Sequence, residues 1–269
     1  MVHDIIAQSK NIAQIDTISF SGGEPIIDPW EFRKLVWSAN DSGKQSAVLT
    51  NASWAANYED TFELLASCRN NNLTGLGVSL DKYHLEFVPI ENISNVLLAC
   101  ERLGIRSELR FVTVKGDKIG SIIDQLDSTL THLNTYSFPC SPVGAAKKNF
   151  PCESFIRDVP IWELKCGNKD RIGIHYNGEV YPCCSHWVYT TALSLGNIRT
   201  MPLKDIFHKL KRDPIYMYLS LASFDELVKH AKKVGIPLPE KVTSVCELCS
   251  ILFGKKNFGV FASFIRDYL

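Results

Sequence analysis

Short apolar runs alternate with amphipathic segments along the first half of the chain. Period-two and fully apolar stretches predict strands near residues 14–20, 46–50, 75–80, 106–114 and 133–140. Helical periodicity predicts helices over residues 2–10, 58–69, 90–103 and 118–131, and another that begins at Pro29. Alternation of this kind is typical of a parallel sheet built from βα units, so the sequence predicts an α/β fold.

The first predicted helix is out of place in such an array. No strand precedes residues 2–10, although a βα array normally begins with a strand. One interpretation is a simple N-terminal helix. The other is that the array lacks its first strand together with the loop that would follow it.

The pattern changes after Lys147. Residues 148–165 are expected to form a linker with a short helical piece, and the stretch RIGIHYNGEVYPCC predicts a β-hairpin closed by a type I′ turn at Asn177-Gly178. Further helices are expected at the positions 202–211, 223–234 and from about 257 onward. We therefore expect two domains, residues 1–150 and residues 151–269.

Composition narrows the classes of function. The chain is 45% hydrophobic and 22% charged, and its 29 basic residues balance 29 acidic ones. Such a balance argues against binding to nucleic acid or to an anionic membrane. The opening MVHDIIAQSK does not resemble a secretory signal, and no apolar run approaches the length of a membrane span. A cytoplasmic location is therefore expected.

Nine cysteines in a chain expected to lie in a reducing compartment indicate metal binding rather than disulfides. Cys68 and Cys100 lie on apolar helical faces and are expected in the core. Most of the other cysteines follow residue 139, which places the candidate metal site in the second domain.

Polar side chains follow the ends of several predicted strands. Because the carboxyl ends of parallel strands meet at one edge of a barrel, a single ligand can contact residues from successive strands. The turn Gly22-Gly23-Glu24 offers a flexible backbone and a carboxylate suited to an ammonium group, although an ordinary strand-to-helix turn would also fit this stretch. The other polar residues at strand ends are Thr50, Asn51, Ser79, Asp81, Tyr83 and His84. A solvated loop remains an alternative explanation for His84.

The cysteines of the second half form a spaced set. Cys166 is followed by eleven residues, Gly178, four residues and Cys183, and the pair Cys246 and Cys249 comes later. A hairpin with a thiolate near each end, joined by a distant CxxC, supplies four sulfur ligands. Four thiolates suit tetrahedral zinc or an iron–sulfur cluster equally well, so the spacing leaves the metal open.

Cys184 directly follows Cys183. Adjacent side chains on a strand point to opposite faces, so both thiols are not expected to serve one cluster in the same way. Cys184 is then either a buried small hydrophobic residue or a residue with a redox or hydrogen-donating role.

Taken together, these residues resemble the radical S-adenosylmethionine (SAM) enzymes. The stretch SGGEP is similar to the motif of that superfamily that grips the amino group of SAM, and the cysteine spacing resembles its twitch extension, a shortened SPASM domain. The segments SLDKYHLEFVP, SPVGAAKK, HYNGEVYPCCS and SVCELCSILF are similar to the peptide epimerases of this superfamily.

The resemblance implies a partial (β/α)6 barrel without its first strand and a small C-terminal iron–sulfur domain. It implies that Gly22, Gly23 and Glu24 bind SAM, with Ser79 and Asn51 as further contacts, and that Arg110 and Val143 lie where other parts of SAM would bind. The auxiliary [4Fe-4S] cluster would be held by Cys166, Cys183, Cys246 and Cys249.

The resemblance also implies a mechanism. A 5′-deoxyadenosyl radical would take the Cα hydrogen of an L-residue in a ribosomally made peptide, and Cys184 would return a hydrogen from the other face to give the D-residue. A precursor peptide and a reducing protein such as a flavodoxin or ferredoxin are the expected partners.

One feature departs from the family. Its radical-generating cluster is bound by a Cys-x3-Cys-x2-Cys loop upstream of the Gly-Gly-Glu-Pro turn, and these 269 residues contain no such motif. The expected segment coincides with the strand and loop missing from the predicted βα array. We therefore expect this chain, by itself, to be inactive in SAM cleavage. Alternative hypotheses are a radical SAM dehydrogenase, a thioether-forming enzyme, and a non-catalytic zinc or structural remnant.

Overall fold

A computed structural model describes residues 1–128, 130, 132, 134–167 and 171–268. The chain divides into two compact units, Met1–Phe138 and Pro139–Leu269, so the division falls before the position near residue 150 expected from the sequence. In the described part of the chain, no helix is both long enough and apolar enough to cross a membrane.

The first unit alternates helices and strands, as the hydrophobic pattern predicts. Its elements in chain order are α1 (Val2–Ser9), β1 (Thr17–Phe20), α2 (Pro29–Asp41), β2 (Gln45–Thr50), α3 (Tyr58–Arg69), β3 (Leu73–Ser79), α4 (Ile90–Leu103), β4 (Arg106–Thr113), α5 (Gly120–Ile123) and β5 (Thr135–Pro139). The five strands form one sheet in the order β1-β2-β3-β4-β5, and the recorded pairings from β1 to β4 are parallel. The predicted α/β class is confirmed.

The register divides the sheet residues between two faces. Val48, Leu76 and Leu109 are buried with apolar residues of α2, α3 and α4 in one hydrophobic core. Residues one position away, including Leu49 and Arg110, lie on the opposite face, because successive strand residues alternate between faces. We call this second surface, formed by the side chains that alternate with the core residues, the open face of the sheet.

Local signals explain where several helices begin and end. The Asp28 side chain accepts hydrogen bonds from the backbone N–H groups of Trp30 and Glu31, both at 3.0 Å, and Pro29 occupies the first helical position of α2. At the other end of α4, Gly104 has a φ of 64°, the left-handed conformation that commonly ends a helix. These signals are short-range, which is why the sequence predicted these helices well.

The helix predicted over residues 118–131 is wrong in length. Only α5 is helical in this region, and residues 129 and 131 lie outside the described part of the chain. The segment contains β-branched Ile122 and Ile123 followed by Asp124, and these residue types have lower helix propensity than Ala or Leu. Apolar spacing alone therefore overestimated the helix.

The second unit consists of short elements. They are α6 (Gly144–Asn149), β6 (Val159–Pro160), β7 (Gly173–Ile174), β8 (Glu179–Tyr181), β9 (Gly196–Asn197), α7 (Leu203–Arg212), α8 (Pro214–Leu221), α9 (Asp225–Lys233), β10 (Lys241–Val242), α10 (Val245–Leu252) and α11 (Phe258–Tyr268), with 3-10 turns at Cys152–Ser154 and His186–Thr190. Strands β7, β8 and β9 form an antiparallel sheet, and β6 pairs with β10.

The predicted hairpin is present, but its turn is different from the expected type I′. Gly178 has a φ of 88°, whereas Asn177 is not among the residues with positive φ, as a type I′ turn would require. The Gly178 N–H donates to the His175 carbonyl at 2.8 Å, and the His175 N–H donates to the Glu179 carbonyl at 2.8 Å. This arrangement matches a turn followed by a left-handed glycine in a bulge.

Candidate functional site

The Gly-Gly-Glu turn leaves the carboxyl end of β1 in the first unit. Gly22 and Gly23 have φ values of 89° and 56°, a region that other residues rarely adopt. A Cβ added to either glycine would meet no described atom within 4 Å. The positive φ values, and not steric contact with neighbouring atoms, therefore favour glycine at positions 22 and 23. The turn also leaves open space into which a ligand would fit.

The Glu24 carboxylate ties this turn to the end of the neighbouring strand. Its Oε1 accepts hydrogen bonds from the Thr50 hydroxyl at 2.7 Å and the Ile26 N–H at 3.0 Å, and its Oε2 accepts one from the Asn51 N–H at 2.8 Å. The structure thus brings together two of the strand ends predicted to share a ligand. A carboxylate offers about four acceptor positions, so these contacts leave about one for a ligand.

Thr50 connects the carboxylate to the loop after β2. Its hydroxyl oxygen accepts hydrogen bonds from the Ala52 N–H at 3.0 Å and the Trp54 indole N–H at 2.8 Å while donating to Glu24. Ala52 adopts a left-handed φ of 64°, and the side chain of Asn92 donates to its carbonyl at 3.2 Å. The network holds the loop in a conformation that an isolated alanine disfavours.

Ser79, the last residue of β3, is the register partner of Arg110, which lies in the middle of β4. A Cβ added to Gly77 would lie 3.0 Å from a Leu49 methyl and 3.2 Å from Arg110 Nε, so these side chains lie over Gly77 on the open face. The Arg110 guanidinium forms an ion pair with Glu108 two residues earlier on the same strand. A guanidinium is suited to binding a carboxylate, and that of Arg110 already binds the carboxylate of Glu108.

The predicted rim residues Asp81 and His84 contact each other. Asp81 is 4% exposed, and its Oδ1 lies 2.9 Å from His84 Nδ1 and accepts backbone hydrogen bonds from Tyr83 and His84. Contact with the carboxylate raises the pKa of His84. Burial alone would raise the pKa of Asp81, but the contact with His84 outweighs it and lowers the pKa of Asp81. The pair braces the loop after β3.

Val143, the remaining residue implied to contact SAM, lies in the second unit. It is the residue at the N-cap of α6 and has an extended backbone.

The four candidate cluster cysteines lie in the second unit, and two of them have pKa values raised partly by the other candidate thiols. Cys166 lies in the segment before β7, Cys183 follows β8, and α10 carries Cys246 and Cys249 one turn apart. Burial raises the pKa of the Cys183 thiol to about 12, and Cys246, Cys166 and the adjacent Cys184 contribute further to the increase. Burial also raises the pKa of Cys249 well above its usual value, again with contributions from the other three thiols.

Cys184 has different surroundings. Its side chain is exposed, whereas Cys183 is partly buried; Cys184 contributes to the raised pKa of its neighbour Cys183 but not to that of Cys249. Among the described residues, no group of three or more His, Cys, Asp or Glu side chains is arranged to hold a metal ion. The assignment of the four cysteines as ligands therefore stays a prediction.

Two glycines shape the hairpin that carries these thiols. A Cβ on Gly173 would lie 2.7 Å from the Cys183 carbonyl oxygen, and one on Gly178 would lie 2.6 Å from the Asn197 side-chain oxygen. Gly178 also has a positive φ, which gives a physical reason for the glycine in the cysteine spacing pattern. No spacing rule pointed to Gly173, because the backbone that approaches it comes from the other strand of the hairpin.

Two further residues, one within the CxxC and one that contacts it, were not predicted from the sequence. Glu247 is buried between Cys246 and Cys249, and its carboxylate contacts Arg157 at 3.1 Å. The spacing of Ser244 and Glu247 matches a capping box and would have identified Glu247. Arg157 has no comparable sequence signal.

Comparison with known proteins defines the class. Residues 166–232 match SPASM, an iron–sulfur cluster-binding domain. The solved structure of native anSMEcpe with bound AdoMet and Kp18Cys peptide has the same fold, with a TM-score of 0.57 and 12% identity over 100% of this chain and 90% of that chain. A second structure, native anSMEcpe with bound AdoMet, gives a TM-score of 0.51 with 14% identity over 85% of this chain and 75% of that one.

The chain therefore has the fold of the radical SAM class with a SPASM-type region, as the resemblance implied. Among curated proteins it is 24% identical to the putative peptide biosynthesis protein YydG of Bacillus subtilis strain 168, over 99% of this chain and 86% of the relative. The domain match favours an iron–sulfur cluster over zinc. Cys166 and Cys183 lie inside the matched range, whereas Cys246 and Cys249 lie beyond it.

Proposed function

We propose that this chain belongs to a radical SAM protein that, once supplied with the radical-generating cluster ligands that these 269 residues lack, acts on a ribosomally made peptide and converts an L-residue to its D-form. The observation that carries the proposal is the contrast between the adjacent thiols Cys183 and Cys184. Cys183 is partly buried among the other candidate ligands, whereas Cys184 is exposed and available to a substrate. The similarity to a putative peptide biosynthesis protein supports a peptide substrate.

The SAM site is proposed at the carboxyl ends of β1 to β3 in the first unit, together with Arg110 of the adjoining strand β4. The exposed backbone of Gly22 and Gly23 would bind the amino group of SAM, and the remaining acceptor position of Glu24 would bind it as well. Ser79 and Arg110 would receive the carboxylate, and Asn51 lies beside Glu24 at the end of β2. The positive φ values of the glycines present backbone polar groups in a way that side-chain-bearing residues would not.

The auxiliary cluster is proposed on Cys166, Cys183, Cys246 and Cys249. When bound, SAM and the iron–sulfur clusters supply the radical chemistry that removes the Cα hydrogen, and the protein contributes orientation. Cys184 would then supply hydrogen to the opposite face of Cα. Its S–H bond breaks and a C–H bond forms, which leaves a sulfur radical. A flavodoxin or ferredoxin would provide one electron and solvent one proton to restore the thiol.

The first test uses the 269-residue chain as it stands. After anaerobic reconstitution, we expect iron and sulfide to be bound and the four ligand thiols to be protected from alkylation, while Cys184 is labelled. Peptide mapping by mass spectrometry identifies the labelled residues, and the exposed Cys152 serves as a labelling control. A colourless, zinc-loaded protein, or protection of Cys184 with labelling of Cys183, would contradict the assignment.

The radical-generating ligands require a separate test, because these residues contain no Cys-x3-Cys-x2-Cys. We expect no 5′-deoxyadenosine from the reconstituted 269-residue chain incubated with SAM and a reductant. Formation of 5′-deoxyadenosine under these conditions would show that this expectation is wrong. The coding sequence upstream of Met1 is the informative comparison, since an in-frame motif there would provide the missing ligands.

Epimerisation is tested with a form of the protein that also contains a Cys-x3-Cys-x2-Cys motif. The protein is incubated with its precursor peptide in deuterated water. The expected product contains a D-residue with solvent deuterium at Cα, because the thiol hydrogen exchanges with solvent. Cys184→Ala should still form 5′-deoxyadenosine but no D-residue. A dehydrogenated or thioether product that forms equally well in Cys184→Ala would instead support the other radical SAM outcomes.

A further inference from the structure

Glu247 occupies an unusual place for a carboxylate. It lies within the CxxC of α10, between Cys246 and Cys249, and only 6% of the residue is exposed. A buried carboxylate is unfavourable unless it is paired and hydrogen-bonded. Its partners therefore contact the same helical turn that carries the two cysteines.

The Glu247 carboxylate folds back over the start of its own helix. Its Oε2 accepts a hydrogen bond from the Thr243 N–H at 2.6 Å, just before the N-cap residue Ser244. The contact resembles a capping box, in which a side chain of the first turn satisfies a backbone N–H before the helix. It orients the turn that carries Cys246.

The other carboxylate oxygen joins α10 to a separate segment. Oε1 accepts a hydrogen bond from Arg157 Nε at 3.1 Å, and the Arg157 Nη1 group lies 3.4 Å from both the carbonyl oxygen and the sulfur of Cys152. The guanidinium carbon also lies 5.6 Å from the centre of the Phe155 ring. Arg157 is therefore held by several contacts and not by the ion pair alone.

We propose that Arg157 and Glu247 are positioning residues that orient the CxxC helix and set the reduction potential of the auxiliary cluster. This inference rests on the proposed ligation by Cys246 and Cys249. Cluster potentials depend on nearby charge and on the groups around the ligands. With both partners present, the positive and negative charges offset each other. Removing either partner leaves a charge of one sign beside the ligands.

The two single variants should therefore move the potential in opposite directions. Glu247→Gln leaves the Arg157 cation, which favours the reduced, more negative cluster, so its midpoint potential should rise. Arg157→Gln leaves the Glu247 anion, so the potential should fall. The double variant should lie between them, near wild type. Arg157→Lys, which keeps the positive charge, should lie closer to wild type than Arg157→Gln.

The measurement is a redox titration of the anaerobically reconstituted 269-residue chain, followed by visible absorption and electron paramagnetic resonance, with iron content determined for each variant. Glu31→Gln is the matched control, because Glu31 and Lys34 form an exposed ion pair at 2.7 Å in the first unit. Its potential should equal that of wild type. If Arg157→Gln fails to load iron, the comparison of Glu247→Gln with the double variant still tests the sign.

The outcomes separate this inference from the proposed function. If the wild-type chain binds no iron–sulfur cluster, the proposed function fails and the inference fails with it. If the cluster loads but the potentials of Glu247→Gln and Arg157→Gln stay unchanged or move in the same direction, only the inference fails. A purely structural pair would lower iron content and thermal stability without opposite shifts in potential.

Discussion

Replacing Glu24 with glutamine tests whether this carboxylate braces the turn after β1. The substitution keeps the size of the side chain but converts one acceptor oxygen into an NH2 donor. Glu24 accepts hydrogen bonds from Thr50, Ile26 and Asn51 through its two oxygens. Whichever way the amide is oriented, its NH2 group faces at least one backbone N–H, so at least one of these hydrogen bonds is lost.

The size of the effect follows from that loss. A hydrogen bond to a charged group contributes about 1.5–3 kcal/mol, so we expect the free energy of unfolding to fall by about 2 kcal/mol. For a chain of this size each kcal/mol corresponds to about 2–4 °C, so the melting temperature should fall by about 4–8 °C. The first unit should be affected, because all the contacts lie within it.

Thermal unfolding followed by circular dichroism measures this change. Glu63→Gln is a suitable control, because Glu63 is exposed on α3 and the same chemical change there should leave the melting temperature unaltered. SAM binding measured by isothermal titration calorimetry should weaken in Glu24→Gln and not in the control. An unaltered melting temperature for Glu24→Gln would refute the bracing role.

Two further predictions concern a glycine and a histidine. In Gly173→Ala the new Cβ would lie 2.7 Å from the Cys183 carbonyl oxygen. The backbone at Cys183 should therefore shift, and the iron content after reconstitution should fall. Gly75→Ala is the control, because its new Cβ has no contact closer than 3.7 Å and its iron content should equal that of wild type. Asp81 raises the pKa of His84 above its ordinary 6.5, so the pair should stabilise the fold fully below pH 6.5 and less as pH rises through the raised pKa. Urea unfolding at several pH values should show this loss in wild type and not in His84→Gln; identical pH profiles would contradict it.

Local patterns predicted the first unit well and the second less completely. Strand and helix positions from β1 to β4 agree with the hydrophobic periods, and Pro29 and Gly104 mark helix ends by their own conformational preferences. The two-residue strand β9 and the helix α8 were missed. A two-residue strand is too short to show a hydrophobic period. Helix α8 could have been predicted, because Asp213 and Pro214 are typical of a helix N-terminus.

In the candidate site, too, the residue types were predicted from the sequence and the contacts between them were not. Spacing identified the Gly-Gly-Glu turn and the four cysteines, since glycine, carboxylate and thiol are recognisable by type. Spacing did not show that Glu24 already bonds to the end of β2 or that Arg157 pairs with Glu247. Those contacts join residues from different segments, and a single sequence contains no record of which segments meet.

The sequence by itself determined the α/β class through its βα alternation and indicated a thiolate metal site through its spaced cysteines, and its resemblance to the radical SAM enzymes implied the particular fold and the iron–sulfur region. The tertiary structure alone decided how the acids are used. Glu24 is a partly buried carboxylate in the turn after β1, and Glu247 is a buried carboxylate in the first turn of α10. Each accepts at least one backbone N–H, and each contacts a side chain distant in sequence, Thr50 for Glu24 and Arg157 for Glu247. Burial demands such partners, and only the folded chain supplies them.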